Sequence, residues 1–377
     1  MVWLINRQRY LSFNNLQISQ TFLRKLLRNN FTNIAIQRNM QVFDYFFEYF
    51  LHLKSKNYFC KKNILKIYNS IDSFTNESKT IVTLGTFDGV HLGHKKILEK
   101  VIFSSKKMNA ESIVLTFFPH PRTVLQSVEE MKQLNTIDEK ITLMNQMGID
   151  NLVIHPFDKD FSRLTAEEFV RNVLVEQFNI KKIIIGHDHR FGRNRTADIN
   201  DLIAFGEEYN FEVEQISAEE INEAAISSTK IRNALNEGNI DLANQYLGYE
   251  YMISGKVTRG KQLGRTIGFP TANIHIEESY KLIPKEGVYI VKVQVLKKTY
   301  FGMLNIGTNP TTDTSKNQKI EVYILDFDSD IYDKPITIYF QKRLRDERKF
   351  ETIEDLKNQL NSDKESTISF FRNNPLY

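Results

Sequence analysis

The chain is predicted to hold two unlike halves: an α/β domain on a parallel sheet, then an antiparallel β-barrel followed by C-terminal helices. Three observations predict this. From residue 81 to about residue 247, short β-branched runs alternate with longer amphipathic ones, the rhythm of strand–helix–strand units. After Gly248-Tyr249-Glu250 the rhythm changes to closely spaced strands joined by turn-rich links. No Gly/Ser/Pro-rich tract separates the halves, so the join near 248 is a short linker.

In the first half the predicted strands are 81–84, 112–117, 151–155, 182–185 and 212–216, and the predicted helices are 94–107, 137–147, 165–177 and 199–209. Strands separated by helices through short connections lie parallel in one sheet. Ligands of such sheets bind outside the carboxyl ends of the strands. The segments 85–94, 117–121, 186–192 and 226–232 follow strands or open helices, so they are expected to converge on one crevice. In the second half the predicted strands are 251–257, 288–295, 299–306, 319–324 and 336–342, with terminal helices over 352–360 and 366–371.

A length of 377 residues suffices for two ordinary domains, each with its own core. The 41% hydrophobic and 25% charged composition is that of a globular protein, and no apolar stretch reaches the roughly 20 residues that span a bilayer. A single cysteine, Cys60, excludes an intramolecular disulfide and fits a reducing, cytoplasmic compartment. The net charge of +4 is unevenly spread. Residues 1–63 hold ten of the 50 basic side chains and only Asp44 and Glu48 of the 46 acidic ones, which leaves 40 basic and 44 acidic over 64–377. That acidic balance disfavours nucleic acid as a partner of the main body, and a basic leader alone would have to carry any RNA or membrane binding.

The most informative segment is Gly85-Thr86-Phe87-Asp88-Gly89-Val90-His91-Leu92-Gly93-His94, directly after the apolar run Ile81-Val82-Thr83-Leu84. Its glycines let the backbone turn tightly and approach a ligand. The helix that begins near Gly93 would aim free N–H groups and its positive dipole end at an anion. His91 and His94, three apart, fall on one side of that helix start and can donate hydrogen bonds to a phosphate whose charge grows during displacement. A bare HxxH pair would more readily be surface histidines beside an ordinary strand-to-helix turn; the glycines, Phe87 and Asp88 around it turn the reading to phosphate.

In these residues the chain resembles the bifunctional bacterial riboflavin kinase/FMN adenylyltransferase family, also called FAD synthetases. GTFDGVHLGH is similar to the HxGH nucleotidyltransferase motif, and the similarity continues through Phe117-Phe118-Pro119-His120-Pro121, FDKDFSRLTAEEF from Phe157, GHDHRFG from Gly186 and ISSTKIR from Ile226. A second block, GKVTRGKQLGRTIGFPTANI from Gly255 with GVYIVKV, GMLNIGTNPT and IEVYILDF after it, resembles the riboflavin kinase module. The resemblance implies a Rossmann-like nucleotidyltransferase fold over 64–248 and a kinase barrel over 249–377. It implies ATP, riboflavin, FMN and FAD as substrates or products, with Mg²⁺ as cofactor.

Residue by residue, the resemblance assigns His91 and His94 to the α-phosphate of ATP, with Gly85, Phe87 and Asp88 beside the nucleotide. Ser227, Ser228 and Thr229 would meet the triphosphate and Arg232 would clamp it, although Ser/Thr before KIRNAL is also good helix-capping chemistry. Asp188 and His120 are expected near flavin or nucleotide, His120 alternatively as a turn residue between Pro119 and Pro121. His189 departs from the family pattern; HDH invites a metal reading, but no further ligand set is visible. On the kinase side the resemblance places Gly260, Lys261, Gly264 and Gly268 in a phosphate-facing loop, Thr271 and Asn273 as oxygen ligands for Mg²⁺ and phosphate, and Arg345 near the flavin, although KRLRDERKF reads more readily as a basic surface stretch. Glu321 alternates with Ile320 and Val322 and is the expected base for the riboflavin hydroxyl, in a barrel mouth.

Family members commonly begin a few residues before a strand like 65–68, so residues 1–63 are read as an upstream extension, with a mispredicted start codon favoured over a transit peptide or an interfacial helix. A native peptide from within 1–60 would remove that idea. Should the altered GHDHRFG impair adenylylation, only the kinase would remain. Oligomer formation is possible and is not specified by the sequence.

Overall fold

A computed structural model describes residues 64–126, 131–187, 189–221, 226–260, 263–308 and 318–374. The expectations for the leader 1–63 and for Asp188 and Lys261 lie outside the described residues.

Six strands form a wholly parallel sheet: β1 (Lys66–Tyr68), β2 (Thr80–Leu84), β3 (Glu111–Phe118), β4 (Asn151–Pro156), β5 (Ile180–Gly186) and β6 (Glu212–Ile216). Their order is β1-β4-β3-β2-β5-β6. All of β2 is buried, because a central parallel strand is covered on both faces. One face is covered by α1 (Leu92–Met108) and α3 (Ile137–Met147), which pack Leu98, Leu143 and Met144 with Val114 and Leu152. The other is covered by a helical segment that widens to π geometry over Phe169–Gln177 and by α4 (Ile199–Tyr209), around Val82, Ile113 and Ile183. Between β3 and α3 lies the short α2 (Pro121–Gln126). From β2 the chain builds β3 and β4 to one side and later β5 and β6 to the other, so the loop leaving β2 emerges at the switch point, where open α/β sheets bind ligands.

Helices α5 (Ser228–Glu237) and α6 (Ile240–Leu247) lead to the barrel strands β7 (Met252–Thr258), β8 (Thr271–His275), β9 (Gly287–Val295), β10 (Lys298–Thr308), β11 (Gln318–Ile324) and β12 (Pro335–Arg345). These close in the order β10-β11-β8-β7-β12-β9, every pair antiparallel. Val257, Ile274, Val291, Val293, Leu304, Ile306, Ile320, Val322 and Ile338 form one buried cluster, and Ile231, Ala234 and Leu235 of α5 and Ala243 and Leu247 of α6 belong to it too. The helices that end the first half are thus part of the barrel's core. The last element, α7 (Ile353–Asn373), is a single helix.

Three elements differ from expectation. Strand β8 covers residues expected only as ligands; it is short and mostly polar, and its pairing with β7 and β11 holds it extended. The two predicted terminal helices are one, because Asp363, in the polar run between them, is buried and its carboxylate accepts from Arg345 Nη2 at 2.7 Å, while the rest of that run stays largely exposed; one turn on, the Thr367 hydroxyl donates to the Asp363 carbonyl at 2.8 Å. The segment after Thr165 opens with a capping box to Glu168, then departs from α geometry, with Phe178 N–H donating to the carbonyl of Val173.

Candidate active sites

At the carboxyl end of β2, Gly89 turns the chain with φ +86°, and a Cβ there would stand 2.6 Å from Leu134 Cδ1. The turn delivers His91 to the N-cap of α1, where its Nδ1 accepts from the His94 backbone N–H at 3.4 Å. With Nδ1 used as acceptor, the neutral ring carries its proton on Nε2 and can donate it. The two imidazoles are stacked, centroids 3.7 Å apart and planes 18° from parallel. Burial pushes the His91 ring down to about 4, against a partial offset from Asp88. Burial, then His91 and Lys140, holds His94 well below the ordinary range, and its buried Nδ1 has no partner. Both rings are therefore neutral donors at pH 7.

Asp88 is 2% exposed and fully engaged. Its Oδ1 accepts from Leu134 N–H at 2.8 Å, and its Oδ2 lies 2.5 Å from Arg232 Nη2. The Arg232 Nε also donates to the Lys132 carbonyl at 3.0 Å. Ser227 caps α5 by accepting from Lys230 N–H, and Ser228 Oγ donates to the Asp88 carbonyl at 2.9 Å. The N-termini of α1 and α5 thus meet on the Asp88 loop. Thr229, in the first turn of α5, follows directly. Gly85 abuts the Phe87 ring, which packs edge-on to His94 at 5.2 Å. His120 opens α2, accepts from Arg122 N–H at 3.2 Å, and is held to about 4 by burial, with Asp88, Arg232 and Lys140 as neighbouring charges. The turn role and the place beside the cluster hold together for this residue.

Sequence reasoning left three contributors here without a role. Lys140, 2% exposed, donates to the Thr86 carbonyl at 2.7 Å, and burial lowers its ammonium to about 8, partly offset by Asp88. Its signal was available: in IDEKITLMNQM it shares a helical stripe with Leu143 and Met144, an odd place for a lysine. A run of rings at the ends of β3 and β4 joins Phe117 to Phe157 at 5.6 Å and to Phe161 at 5.5 Å, with His155 4.5 Å from Phe161. The third is Tyr249, whose hydroxyl donates to the Gly89 carbonyl at 2.7 Å.

A second constellation lies on β8 and β11. The register sets Asn273 opposite Glu321 and Thr271 opposite Tyr323, so alternation puts all four on one face. Thr271 Oγ1 donates to Glu321 Oε2 at 3.1 Å, and Lys319, two residues along the strand, pairs with the other carboxylate oxygen. Ile320, Val322 and Ile324 fill the interior, so Glu321 stands on the outward face, not inside a barrel mouth. Gly260 lies against Asn273, where a Cβ would stand 2.7 Å from its Cγ. The expected flexible glycine loop is in part a packed turn: Gly264 sits in the helical turn Leu263–Thr266, its carbonyl accepts from Phe269 N–H at 2.8 Å, and a Cβ would strike the Phe269 carbonyl. Gly268 follows with φ +84°. Arg345 commits all three guanidinium nitrogens elsewhere: Nε at 3.1 Å and Nη2 at 2.7 Å to the Asp363 carboxylate on α7, and Nη1 to the Asp346 carbonyl.

Comparison with known proteins places these halves. A family model described as FAD synthetase matches residues 73–230, and one described as riboflavin kinase matches 247–371. The chain is 38% identical over 302 residues to the "Bifunctional riboflavin kinase/FMN adenylyltransferase" of Buchnera aphidicola subsp. Acyrthosiphon pisum, covering 79% of this chain and 96% of the relative. It is 39% identical over 301 residues to the protein of the same name from Listeria monocytogenes, covering 80% and 95%. A crystal structure titled "Macrolide-efflux Protein from Streptococcus pneumoniae" superposes with a TM-score of 0.74 at 31% identity, covering 81% of this chain and 98% of that one. That title names a different activity, and among the described residues no helix is long and apolar enough to cross a membrane. Two matches to separate models, in the order of the two sites, and relatives matched over nearly their whole length show that the chain belongs to the bifunctional riboflavin kinase/FMN adenylyltransferase family.

Proposed function

We propose that this chain phosphorylates riboflavin with ATP to FMN on the barrel and joins FMN to a second ATP on the parallel sheet, giving FAD and pyrophosphate, in the cytoplasm. The observation that carries the reading is the meeting of two helix N-termini, capped by His91 and Ser227, on one loop at the switch point. Two positive dipole ends and two neutral imidazoles form a place for adjoining phosphates.

In adenylyl transfer an FMN phosphate oxygen attacks the α-phosphorus, the bond from that phosphorus to the α–β bridging oxygen breaks, and pyrophosphate leaves. The nucleophile is already an anion, so no base is needed. What the site must supply is alignment and donors toward the growing charge. His91 and His94 fill that role, with Ser227, Ser228 and Thr229 toward the triphosphate. Asp88 and Arg232 hold the two helix starts together. The rings of Phe117, Phe157 and Phe161 offer an apolar face for the isoalloxazine.

In the kinase step the riboflavin 5′-hydroxyl attacks the γ-phosphorus, ADP leaves, and the hydroxyl proton passes to Glu321. Thr271 and Asn273 share a face with Glu321, and their oxygens would suit Mg²⁺, which is bound largely through substrate phosphates and water rather than a protein cage; the Glu321 carboxylate is left to act as the base. When bound with ATP, the ion neutralises charge across the phosphates.

The test is chromatography of flavins after incubating the full chain with riboflavin, ATP and magnesium. FMN should appear first and FAD after it, and supplied FMN should give FAD directly. Folded protein that leaves riboflavin unchanged and makes no FAD from FMN would refute the reading.

A further inference from the structure

The segment Gln133–Asn135 separates the loop of Asp88 and Gly89 from the barrel, and it is bonded on both sides. Toward the loop, Leu134 N–H holds Asp88 Oδ1 at 2.8 Å and the Leu134 side chain fills the space at Gly89. Toward the barrel, Gln133 N–H donates to the Tyr280 carbonyl at 2.7 Å, and Leu282 N–H donates to Gln133 at 2.8 Å. Between these two bonds Lys281 inserts its ammonium, wholly buried, 2.6 Å from the Leu134 carbonyl and 2.5 Å from Glu139 Oε2. Glu139 Oε1 in turn accepts from Ser254 N–H of β7 at 2.9 Å.

Tyr249 makes a second, shorter route. Its hydroxyl donates to the Gly89 carbonyl at 2.7 Å and also lies 3.2 Å from Asn135 Nδ2. One residue earlier the Gly248 carbonyl accepts from Lys95 Nζ of α1 at 2.9 Å. Tyr249 thus reaches the loop that bears His91 and His94 directly, whereas Lys281 reaches it through Leu134, whose N–H holds Asp88.

We propose that Tyr249 and Lys281, on the kinase side of the chain, are positioning residues for adenylyl transfer: they fix the Asp88–His94 loop through Gly89 and Leu134. The inference rests on the adenylyl-transfer reading of that loop. The geometry supports it in three ways. The Tyr249 phenol, pushed well above its ordinary range chiefly by burial, stays protonated and keeps its donor role at every working pH. The Lys281–Glu139 pair is buried, where loss of one partner strands a charge and displaces what it holds. And neither residue lies on β8 or β11, so neither belongs to the constellation around Glu321.

The test is the pair of steady-state rates, FMN from riboflavin and FAD from supplied FMN, for the full chain and two variants. Tyr249→Phe keeps the ring and removes one hydroxyl. A positioning role predicts about a ten-fold fall in kcat for FAD formation with KM for ATP held and FMN formation unchanged, because small misalignments are costly to in-line transfer. The double variant Lys281→Met with Glu139→Leu removes both buried charges together and is expected to lower the same kcat by about ten-fold or more while sparing FMN formation. Unaltered FAD kcat in both variants, or a parallel fall of both activities, overturns the inference. A wild-type chain that makes no FAD at all refutes the reading of the site itself, a result distinguishable from a wild type that makes FAD and variants that match it.

Discussion

The two sites are built from different materials. On the sheet side the functional groups are buried, neutral or paired: stacked imidazoles, an Asp88 held by two donors, and a Lys140 under the loop. On the barrel side Glu321 and Lys319 are partly exposed on the outward face of a strand, and Thr271 is exposed. On the proposed reactions, the difference follows the nucleophiles. A phosphate monoester arrives already charged and needs only donors held in place by desolvated surroundings. A primary alcohol needs a carboxylate to take its proton, and a carboxylate stays ionised best where water reaches it.

The comparison breaks or survives on reciprocal variants, which carry the largest expected effects. Glu321→Gln should lower FMN formation roughly 10²–10⁴-fold, the worth of a general base, and leave FAD formation from supplied FMN intact. His94→Ala should lower FAD formation about 10²–10³-fold and leave FMN formation intact. His94 is the cleaner choice than His91, which also caps α1. If either variant loses both activities in folded protein, the sites are not independent in chemistry.

Acid offers a sharper contrast in stability. His91 and His120 are held to about 4 by burial, below the ordinary 6.5, so the unfolded chain binds protons that the folded one does not. Stability is then complete above about pH 6.5 and falls as the pH drops toward 4, by roughly 2 kcal/mol for His91 at pH 5. Denaturant midpoints at pH 7 and pH 5 measure the loss, and His91→Gln and His120→Gln should each flatten it. Equal slopes in the wild type and both variants would show that these rings are not the source.

How much of this was legible in the sequence depended on whether a feature was local. The β2 turn, the His91–His94 pair and the Ser227 cap are encoded within a few residues, where period and spacing suffice. Strand β8 was missed because its extended form is imposed by neighbours distant in sequence, and the single α7 because the partner of its polar middle is Arg345. Lys281, Glu139 and Tyr249 lay beyond any local pattern, since each acts across more than 110 residues. The same limit explains why Asp88 and Arg232, both expected at ATP, prove to be bonded to each other.

Arg345 gives the smallest and most discriminating test. The resemblance placed it at the flavin, whereas its guanidinium grips Asp363, which is 4% exposed and otherwise bonded to Gln359 at 2.8 Å. A clamp and a flavin contact differ in what Arg345→Lys would change. Lysine keeps the charge but loses the fork, so a clamp predicts a stability loss of about 1 kcal/mol, with KM for riboflavin unaltered. A flavin contact predicts a higher KM and an unchanged melting temperature. The geometry favours the clamp, because two of the three nitrogens that would reach a ligand already tie β12 to α7 and the third is taken by the Asp346 carbonyl. On this account Arg345 serves the kinase side as Tyr249 serves the sheet side, by holding the elements around a site rather than touching what is bound there.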